Sequence, residues 1–157
     1  MESATKSKRI GWDEYFINIA KDVQLRSVCI SRTVGAVITV DNMIVSTGYN
    51  GAPKGIKHCA DNGGCLRKVQ NIESGTHYEV CKAVHAEQNA IIQAAVRGNS
   101  IKGGTLYVNT YPCSVCARMI INAEIKRIVY DSDYNDPLAK DMLAEAGIEV
   151  VRVKTEK

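Results

Sequence analysis

Residues 104–131 read "GTLYVNTYPCSVCARMIINAEIKRIVYD", and this stretch decides the fold. Its first seven residues and its last seven are typical of β-strands. Between them, Pro112 marks the entry to a helix, and Val115, Met119 and Ile120 give that helix an apolar stripe. Two strands joined through a helix imply a right-handed crossover between parallel strands. The stretch therefore predicts an α/β protein.

The rest of the chain continues this alternation. A hairpin precedes the unit, and its link, Asp41-Asn42, leaves the turn type open because it is not the usual Asn-Gly. Asp136-Pro137 starts the last helix and Gly147 ends it. Apolar spacing predicts the other strands and helices at residues 34–40, 43–49 and 148–153, and at 12–25, 84–97 and 137–146. The order α-β-β-α-β-α-β-α-β predicts a three-layer α/β/α sandwich with five strands.

Length and composition narrow the class of protein. The chain has 157 residues, 45% of them hydrophobic, which suits one domain; we expect a flexible tail at residues 1–9 and a single domain at 10–157. A net charge of +3 is too small to indicate nucleic acid or membrane as a partner. No apolar run approaches a membrane span, and basic residues near the start lack the apolar segment of a signal peptide. A cytoplasmic protein is the expectation.

Two short motifs predict a metal site. The first is "HAEQNAI" at residues 85–91, and the second is "PCSVC" at residues 112–116. Cys113 and Cys116 lie one helical turn apart at a predicted helix start, where partial positive charge favours thiolates. His85 supplies a nitrogen ligand at the start of another helix. Three protein ligands leave the fourth tetrahedral position for water, which is the pattern of catalytic rather than structural zinc.

Glu87 completes this site as its proton carrier. It follows His85 by two residues, so it stands beside the metal without binding it. Zinc brings the pKa of its water near neutrality, and Glu87 can accept the proton. H-x-E followed by P-C-x-x-C is the signature of zinc nucleobase deaminases, in which the water attacks C4 of cytosine or C6 of adenine. A lone histidine or a lone CxxC is usually structural, so the prediction depends on the two motifs together.

Longer segments carry a resemblance to one family. They are "GWDEYFINIA", "VGAVITVDNMIVSTGYNGAPKG", "HAEQNAI" and "GGTLYVNTYPCSVCARMIINAEIKRIVY". Together they resemble deoxycytidylate (dCMP) deaminases of the bacterial and phage branch, in the cytidine and deoxycytidylate deaminase family, over residues 10–153. The zinc motif is also found in tRNA adenosine, cytosine and riboflavin-pathway deaminases. "GYNG", at residues 48–51, narrows the resemblance to dCMP deaminases.

The resemblance implies a fold, an activity and partners. The fold is the five-stranded mixed sheet of the cytidine deaminase-like sandwich. The activity is hydrolysis of dCMP to dUMP and ammonia, which supplies dUMP for thymidylate synthesis, with Glu87 as the proton shuttle. The backbone N–H of Ala86 would contact the base and Asn50 the nucleotide. Many members are homohexamers, and several are allosteric enzymes activated by dCTP and inhibited by dTTP, with Mg²⁺ accompanying these effectors. Whether dCTP is also a substrate stays open.

Four further cysteines predict a second metal. Structural disulfides are unusual in a reducing compartment, so Cys29, Cys59, Cys65 and Cys81 need another use. Four thiolates are what a structural zinc takes, and the resemblance includes members with a second zinc in this region. Two of the four lie in "NGAPKGIKHCADNGGC", residues 50–65, a loop too rich in Gly and Asn for one regular element. His58 or His77 could replace a cysteine, and buried or free cysteines are the alternative.

A nucleotide phosphate requires cations or helix N–H groups. Arg26 and Arg32, on either side of the segment before the first strand, are candidates, and solvated surface charge is the alternative for both.

Two other functions compete with dCMP deamination. A tRNA adenosine deaminase would need a basic face for RNA phosphates, which the charge and "GYNG" disfavour. A non-catalytic zinc-binding module would have no use for Glu87 beside its metal.

Overall fold

A five-stranded mixed sheet forms the centre of the computed structural model, which describes residues 8–157. The strands are β1 (Gly35–Val40), β2 (Met43–Tyr49), β3 (Thr105–Thr110), β4 (Arg127–Ser132) and β5 (Glu149–Arg152). Their spatial order is β2-β1-β3-β4-β5. β1 is antiparallel to both neighbours, whereas β3, β4 and β5 are parallel. The predicted parallel part of the sheet is confirmed.

The described residues form five α-helices, four of which pack against the sheet. They are α1 (Trp12–Val23), α2 (Leu66–Val69), α3 (Ala86–Val96), α4 (Ser114–Asn122) and α5 (Pro137–Glu145). The predicted helices 12–25 and 84–97 are both present but shorter. The first ends in a 3₁₀ turn at Gln24–Arg26, and the second begins two residues later, after His85. Residues 1–7 of the predicted tail, which spans residues 1–9, lie outside the described residues.

The two faces of the sheet bury different helices. On one face, Phe16, Ile17 and Ala20 of α1 pack against alternate strand residues, namely Val37, Tyr107 and Val129. On the other face, α3, α4 and α5 cover the intervening strand residues, which include Ile38, Leu106 and Ile128. Because successive strand side chains point to opposite faces, this alternation produces the predicted α/β/α layers. The three-layer fold is confirmed.

The hairpin resolves the turn that the sequence left open. Asp41 and Asn42 both have positive φ, 51° and 59°, which corresponds to a type I′ turn. Asn and Asp tolerate this left-handed region better than other non-glycine residues. Within residues 8–157, no helix combines the length and the apolar character needed to cross a bilayer.

Candidate active site

Two helix N-termini meet beside the carboxyl end of β3. His85 is the residue immediately before α3, and Cys113 is the residue immediately before α4, each in an extended conformation. The backbone N–H of His85 donates to Oε1 of Gln88 at 2.8 Å, which fixes the start of α3. A hydrogen bond from the cap residue to a side chain in the first turn is typical of a well-defined helix start.

Asp136 holds the other helix start in place. Its Oδ1 accepts from the N–H of Ala139 at 3.1 Å and so caps α5, as the sequence predicted. Its Oδ2 accepts from the N–H of Ser114, the first residue of α4, at 2.7 Å. One carboxylate therefore joins α5 to the turn that carries Cys113.

A glycine allows β2 to cross the start of α3. A Cβ on Gly48 would lie 2.3 Å from the carbonyl oxygen of Ala86 and 2.4 Å from the backbone N of Ala90. Both are backbone atoms that cannot rotate away. Gly48, the first glycine of "GYNG", is therefore required by close packing against α3, whose first turn carries Glu87 and follows His85.

The three predicted metal ligands are brought together. The ligand atoms of His85, Cys113 and Cys116 all lie within 4.8 Å of one another. Nδ1 of His85 is 3.5 Å from Sγ of Cys113 and 3.3 Å from Sγ of Cys116. Two thiolates and one imidazole are a donor set that suits zinc, and three ligands are the number found in catalytic zinc sites. The residues therefore fit the predicted ion.

The electrostatics of the cluster favour ionisation of Cys113 alone, because the hydrogen bond to Cys113 and burial raise the pKa of the Cys116 thiol. Hydrogen bonds from Cys116 and His85 lower the pKa of the Cys113 thiol to about 4, although burial opposes the shift. The bond to Cys113 in turn raises the pKa of His85. A thiolate at Cys113 is the form that binds a metal.

Glu87 lies in the same site, where the surroundings of its carboxyl group favour the protonated form. The residue is 4% exposed. Burial, reinforced by the negative charge of Cys113, raises the pKa of Glu87. A carboxyl group whose pKa moves towards neutrality is suited to general acid–base catalysis. The structure places Glu87 at the wall of the same cavity as His85 and Cys113.

A cavity of about 220 Å³ opens onto these residues. His85, Ala86, Glu87 and Cys113 form one part of its wall. Ala86 is fully buried and is the first residue of α3, so its backbone N–H belongs to the first turn, where helical N–H groups lack an intrahelical acceptor. α3 itself therefore offers no acceptor for this N–H.

Asn50 also lines the cavity, but its side chain supports the protein backbone. Oδ1 accepts from Oγ of Ser27 at 2.6 Å and from the N–H of Val34 at 2.9 Å. Nδ2 donates to the carbonyl of Arg32 at 2.8 Å. An amide nitrogen has two hydrogens, so the second N–H is the group of Asn50 that could reach a nucleotide.

The two arginine candidates differ in position. Arg32 lines the cavity, donates to Oγ1 of Thr110 and stacks on the ring of Tyr134, with Cζ 4.9 Å from the ring centroid. Arg26 is exposed and does not line the cavity. The geometry therefore favours Arg32 over Arg26.

The remaining four cysteines surround a second cavity of about 250 Å³. Cys29, Cys59, Cys65, Cys81 and also His58 line it. Burial is the main cause of a raised pKa at Cys59, with negative charge on the other three sulfurs adding to it. Among the described residues, only His85, Cys113 and Cys116 bring three ligand atoms within 4.8 Å of one another. The cysteine-lined cavity thus has the donors of a zinc site in a more open arrangement. His77 does not line it; its Nδ1 lies 3.0 Å from Oε1 of Glu79.

The sequence reasoning missed several residues of the first cavity. Tyr78, Thr110, Tyr111 and Tyr134 all line it. Thr110 and Tyr111 could have been found, because ligands of α/β proteins gather at the carboxyl ends of strands, and Thr110 ends β3 while Tyr111 follows it. Tyr78 and Tyr134 lie in loops 56 residues apart, and no sequence pattern indicates that they meet.

Comparisons with known proteins agree with this site. The model of the cytidine and deoxycytidylate deaminase zinc-binding region matches residues 10–132. The chain is 36% identical to ComE operon protein 2 of Bacillus subtilis, covering 96% of this chain and 75% of that protein. It is 37% identical to the deoxycytidylate deaminase of Enterobacteria phage T4, covering 87% of each. It spans under half the length of the Schizosaccharomyces pombe deoxycytidylate deaminase, at 37% identity.

Solved structures show the same architecture. The dCMP deaminase of cyanophage S-TIM5, in complex with dCMP and dUMP, superposes with a TM-score of 0.75 at 28% identity, covering 89% of this chain and 95% of that one. A tRNA:A34 deaminase structure shares the fold alone, at 17% identity and a TM-score of 0.56. With a family model that covers most of its length and relatives that match nearly all of it, the chain belongs to the cytidine and deoxycytidylate deaminase family.

Proposed function

We propose that the chain catalyses hydrolytic deamination of dCMP to dUMP and ammonia, and so supplies dUMP for thymidylate synthesis. The observation that carries the proposal is the buried Glu87 beside a three-ligand cluster that fits zinc, at one wall of a cavity. Relatives that match most of the chain and are named deoxycytidylate deaminases support the choice of substrate.

His85, Cys113 and Cys116 would hold the zinc ion. When bound, zinc supplies Lewis acidity that lowers the pKa of water towards neutrality. Burial raises the pKa of Glu87, which suits a group that takes up a proton and then returns it. Glu87 accepts the proton of the attacking water as the new C–O bond forms at C4, and delivers it to N3 of the ring. Glu87 then carries the proton of the C4 hydroxyl to the amine, the C–N bond breaks, and ammonia leaves.

The cavity wall provides groups that orient the nucleotide. We propose that the N–H of Ala86 binds the base and that the free N–H of Asn50 binds the sugar or phosphate. Arg32 is the cation proposed for the phosphate, because a guanidinium matches the geometry of phosphate oxygens. Among residues 8–157, Arg32 forms no ion pair with a carboxylate, so its charge remains available to a substrate.

We propose a second, structural zinc in the cysteine-lined cavity, held by Cys29, Cys59, Cys65 and Cys81. Support comes from four sulfurs around one cavity: Cys59, Cys65 and Cys81 lie in a loop that has only short helical turns of its own, and Cys29 lies in the segment before β1. His58, which also lines the cavity, is the alternative donor if one cysteine does not bind. Metal analysis of fully loaded protein that gives a single zinc per chain would contradict this proposal.

Properties of the wider family complete the proposal. Residues 10–157 would form a single catalytic domain of a cytoplasmic homohexamer. dCTP would activate this enzyme and dTTP would inhibit it, each with Mg²⁺. These features rest on the resemblance.

A substrate comparison tests the proposed function. Zinc-loaded protein is supplied with dCMP, dCTP, deoxycytidine or cytidine, with and without dCTP and Mg²⁺ as activators, and ammonia release is measured. Faster turnover of dCMP than of deoxycytidine is the expected result. A tRNA anticodon stem-loop is included in the same assay, because inosine formation there without any dCMP turnover would favour the tRNA adenosine deaminase instead. Zinc binding without turnover of any substrate would favour the non-catalytic module.

A further inference from the structure

Two tyrosines join separate loops across one side of the candidate active site. The hydroxyl of Tyr78 lies 2.6 Å from the hydroxyl of Tyr134. Tyr78 belongs to the loop that contains the cysteine-lined cavity, whereas Tyr134 lies between β4 and α5. Both line the same cavity as Glu87. This hydrogen bond therefore links two segments that share no backbone–backbone hydrogen bond within the described residues.

Arg67 fixes the position of Tyr78. Its guanidinium donates to the carbonyl oxygens of His77 at 2.8 Å and Glu73 at 2.9 Å, and its Cζ lies 5.8 Å from the centroid of the Tyr78 ring. The Tyr78 ring also meets the ring of His85 edge-on, with 5.8 Å between the centroids. Tyr78 is thus held between a loop arginine and a metal ligand.

Tyr134, which is hydrogen-bonded to Tyr78, in turn holds Arg32 in place. The Arg32 guanidinium stacks on the Tyr134 ring and donates to Thr110 at the end of β3. Arg32 is exposed, and a long exposed side chain loses considerable rotamer freedom when it binds an anion. A guanidinium already held by a ring and a hydroxyl loses less of that freedom on binding, which increases affinity.

We propose that Tyr134 is a positioning residue that selects phosphorylated substrates: its ring holds Arg32 at the cavity, and its bond to Tyr78 holds the ring. The proposal rests on the proposed function and goes beyond it. Arg32 makes the contact with the phosphate, and Tyr134 acts through Arg32. The cysteine-containing loop consequently contributes to substrate affinity through Tyr78.

A double-mutant cycle tests whether Tyr134 acts through Arg32. Tyr134→Leu removes the ring, Arg32→Ala removes the guanidinium, and the double variant removes both. Steady-state kinetics with dCMP are measured for each zinc-loaded protein. Loss of a cation–π contact predicts a rise in KM of about 3- to 30-fold for Tyr134→Leu, with kcat changed by less than about twofold. In the Arg32→Ala background, Tyr134→Leu should change KM by less than about twofold, because interacting residues are not additive.

Two outcomes of this cycle overturn the proposal. One is additive effects, which would mean that Tyr134 acts independently of Arg32. The other is an unchanged KM in Tyr134→Leu. Absence of dCMP turnover in the wild-type protein would refute the proposed function instead, so the two failures are distinguishable.

Conservative variants keep the proposal testable if Tyr134→Leu does not fold. Tyr134→Phe and Tyr78→Phe each delete the same hydrogen bond while retaining both rings. We expect each to raise KM for dCMP by roughly 2- to 10-fold, with no further rise when the two are combined. If both single variants keep the wild-type KM, or if only kcat falls, the hydroxyl pair does not position Arg32 and the proposal is wrong.

Discussion

The two groups of side chains that we propose as zinc ligands differ in how the fold holds them. His85, Cys113 and Cys116 lie at the starts of two helices, and their ligand atoms are within 4.8 Å of one another. The cysteine-lined cavity draws its sulfurs from a long loop and from segments beside it, and no three of them are equally close among the described residues. Regular structure preorganises the first group, whereas the proposed second site would need an ion to bring its ligands together.

This difference suggests separate roles. Catalysis requires groups fixed close to their working positions, and helix starts packed on a sheet provide that fixation. A loop that cannot bury much apolar surface gains order from metal binding, because the binding free energy contributes to folding. We therefore expect loss of the first ion to abolish turnover and loss of the second to reduce stability.

The largest effect is expected from paired cysteine substitutions. Cys116→Ser removes a ligand of the proposed catalytic zinc. dCMP turnover should fall by at least about 100-fold, because mutation of residues that only hydrogen-bond to metal ligands already lowers metal affinity or activity by about 10- to 100-fold. Cys65→Ser, the matched variant, should lose one zinc ion and melt at a lower temperature while retaining measurable turnover. Zinc content, melting temperature and ammonia release are compared. Equal loss of turnover in both variants would remove the distinction between the groups.

Gly48→Ala tests the packing that places the first group. The new Cβ would lie 2.3 Å from a backbone carbonyl at the start of α3, so either β2 or α3 must move. Overpacking of this kind costs roughly 1–3 kcal/mol, and we expect reduced turnover as well, because Glu87 moves with the helix. Urea denaturation measures the free energy of unfolding.

Gly51→Ala is the control for this substitution. A Cβ at Gly51 meets no atom within 4 Å, and the residue belongs to the same "GYNG" segment. Its free energy of unfolding should stay within about 0.5 kcal/mol of wild type. Similar destabilisation by both variants would mean that close packing is not the reason for glycine at position 48.

The smallest effect is expected far from both groups, on the α1 face. Asp13 binds Arg127 through two hydrogen bonds of 2.7 Å, and Arg127 lowers the pKa of Asp13. Because the pair is partly exposed, Asp13→Asn should cost only about 1 kcal/mol. It should leave kcat for dCMP unchanged.

The pH dependence of this pair follows from the lowered pKa. A carboxyl group with a lowered folded-state pKa adds stability above its unfolded pKa and loses that contribution as pH falls through the folded value. The wild-type advantage over Asp13→Asn should therefore be constant near neutral pH, begin to fall near pH 3.8, and be lost as pH falls through the lower folded-state pKa. An advantage that persists in acid would contradict the ion pair as its source.

Regular structure and local motifs could be predicted from the sequence. Residues 104–131 predicted β3, α4 and β4 because their periodicities are long and their ends are marked. The site could be predicted as two pairs, because spacing within one helix start fixes His85 with Glu87 and spacing within another fixes Cys113 with Cys116. The predicted C-terminus of α1 and both predicted ends of α3 differ from the observed ones by one or two residues, because helix termini depend on capping contacts such as that of Gln88 with His85.

Contacts between loops could not be predicted. The bond between Tyr78 and Tyr134 depends on how two loops fold over the sheet, and neither loop has a periodic pattern. The backbone role of Asn50 was missed for the same reason: its partners at Ser27, Arg32 and Val34 are set by tertiary structure. Contacts of this kind are set by tertiary structure and leave no local pattern in the sequence.

Ammonia release from dCMP by zinc-loaded Glu87→Gln, measured beside wild type, tests the central claim most directly. The substitution keeps the shape of the side chain and removes its ability to carry a proton, and general acid–base catalysis contributes about 10²- to 10⁴-fold. We predict a loss of kcat of that size with zinc content unchanged. Turnover at the wild-type rate in a zinc-loaded Glu87→Gln protein would contradict the assignment of Glu87 and the mechanism built on it.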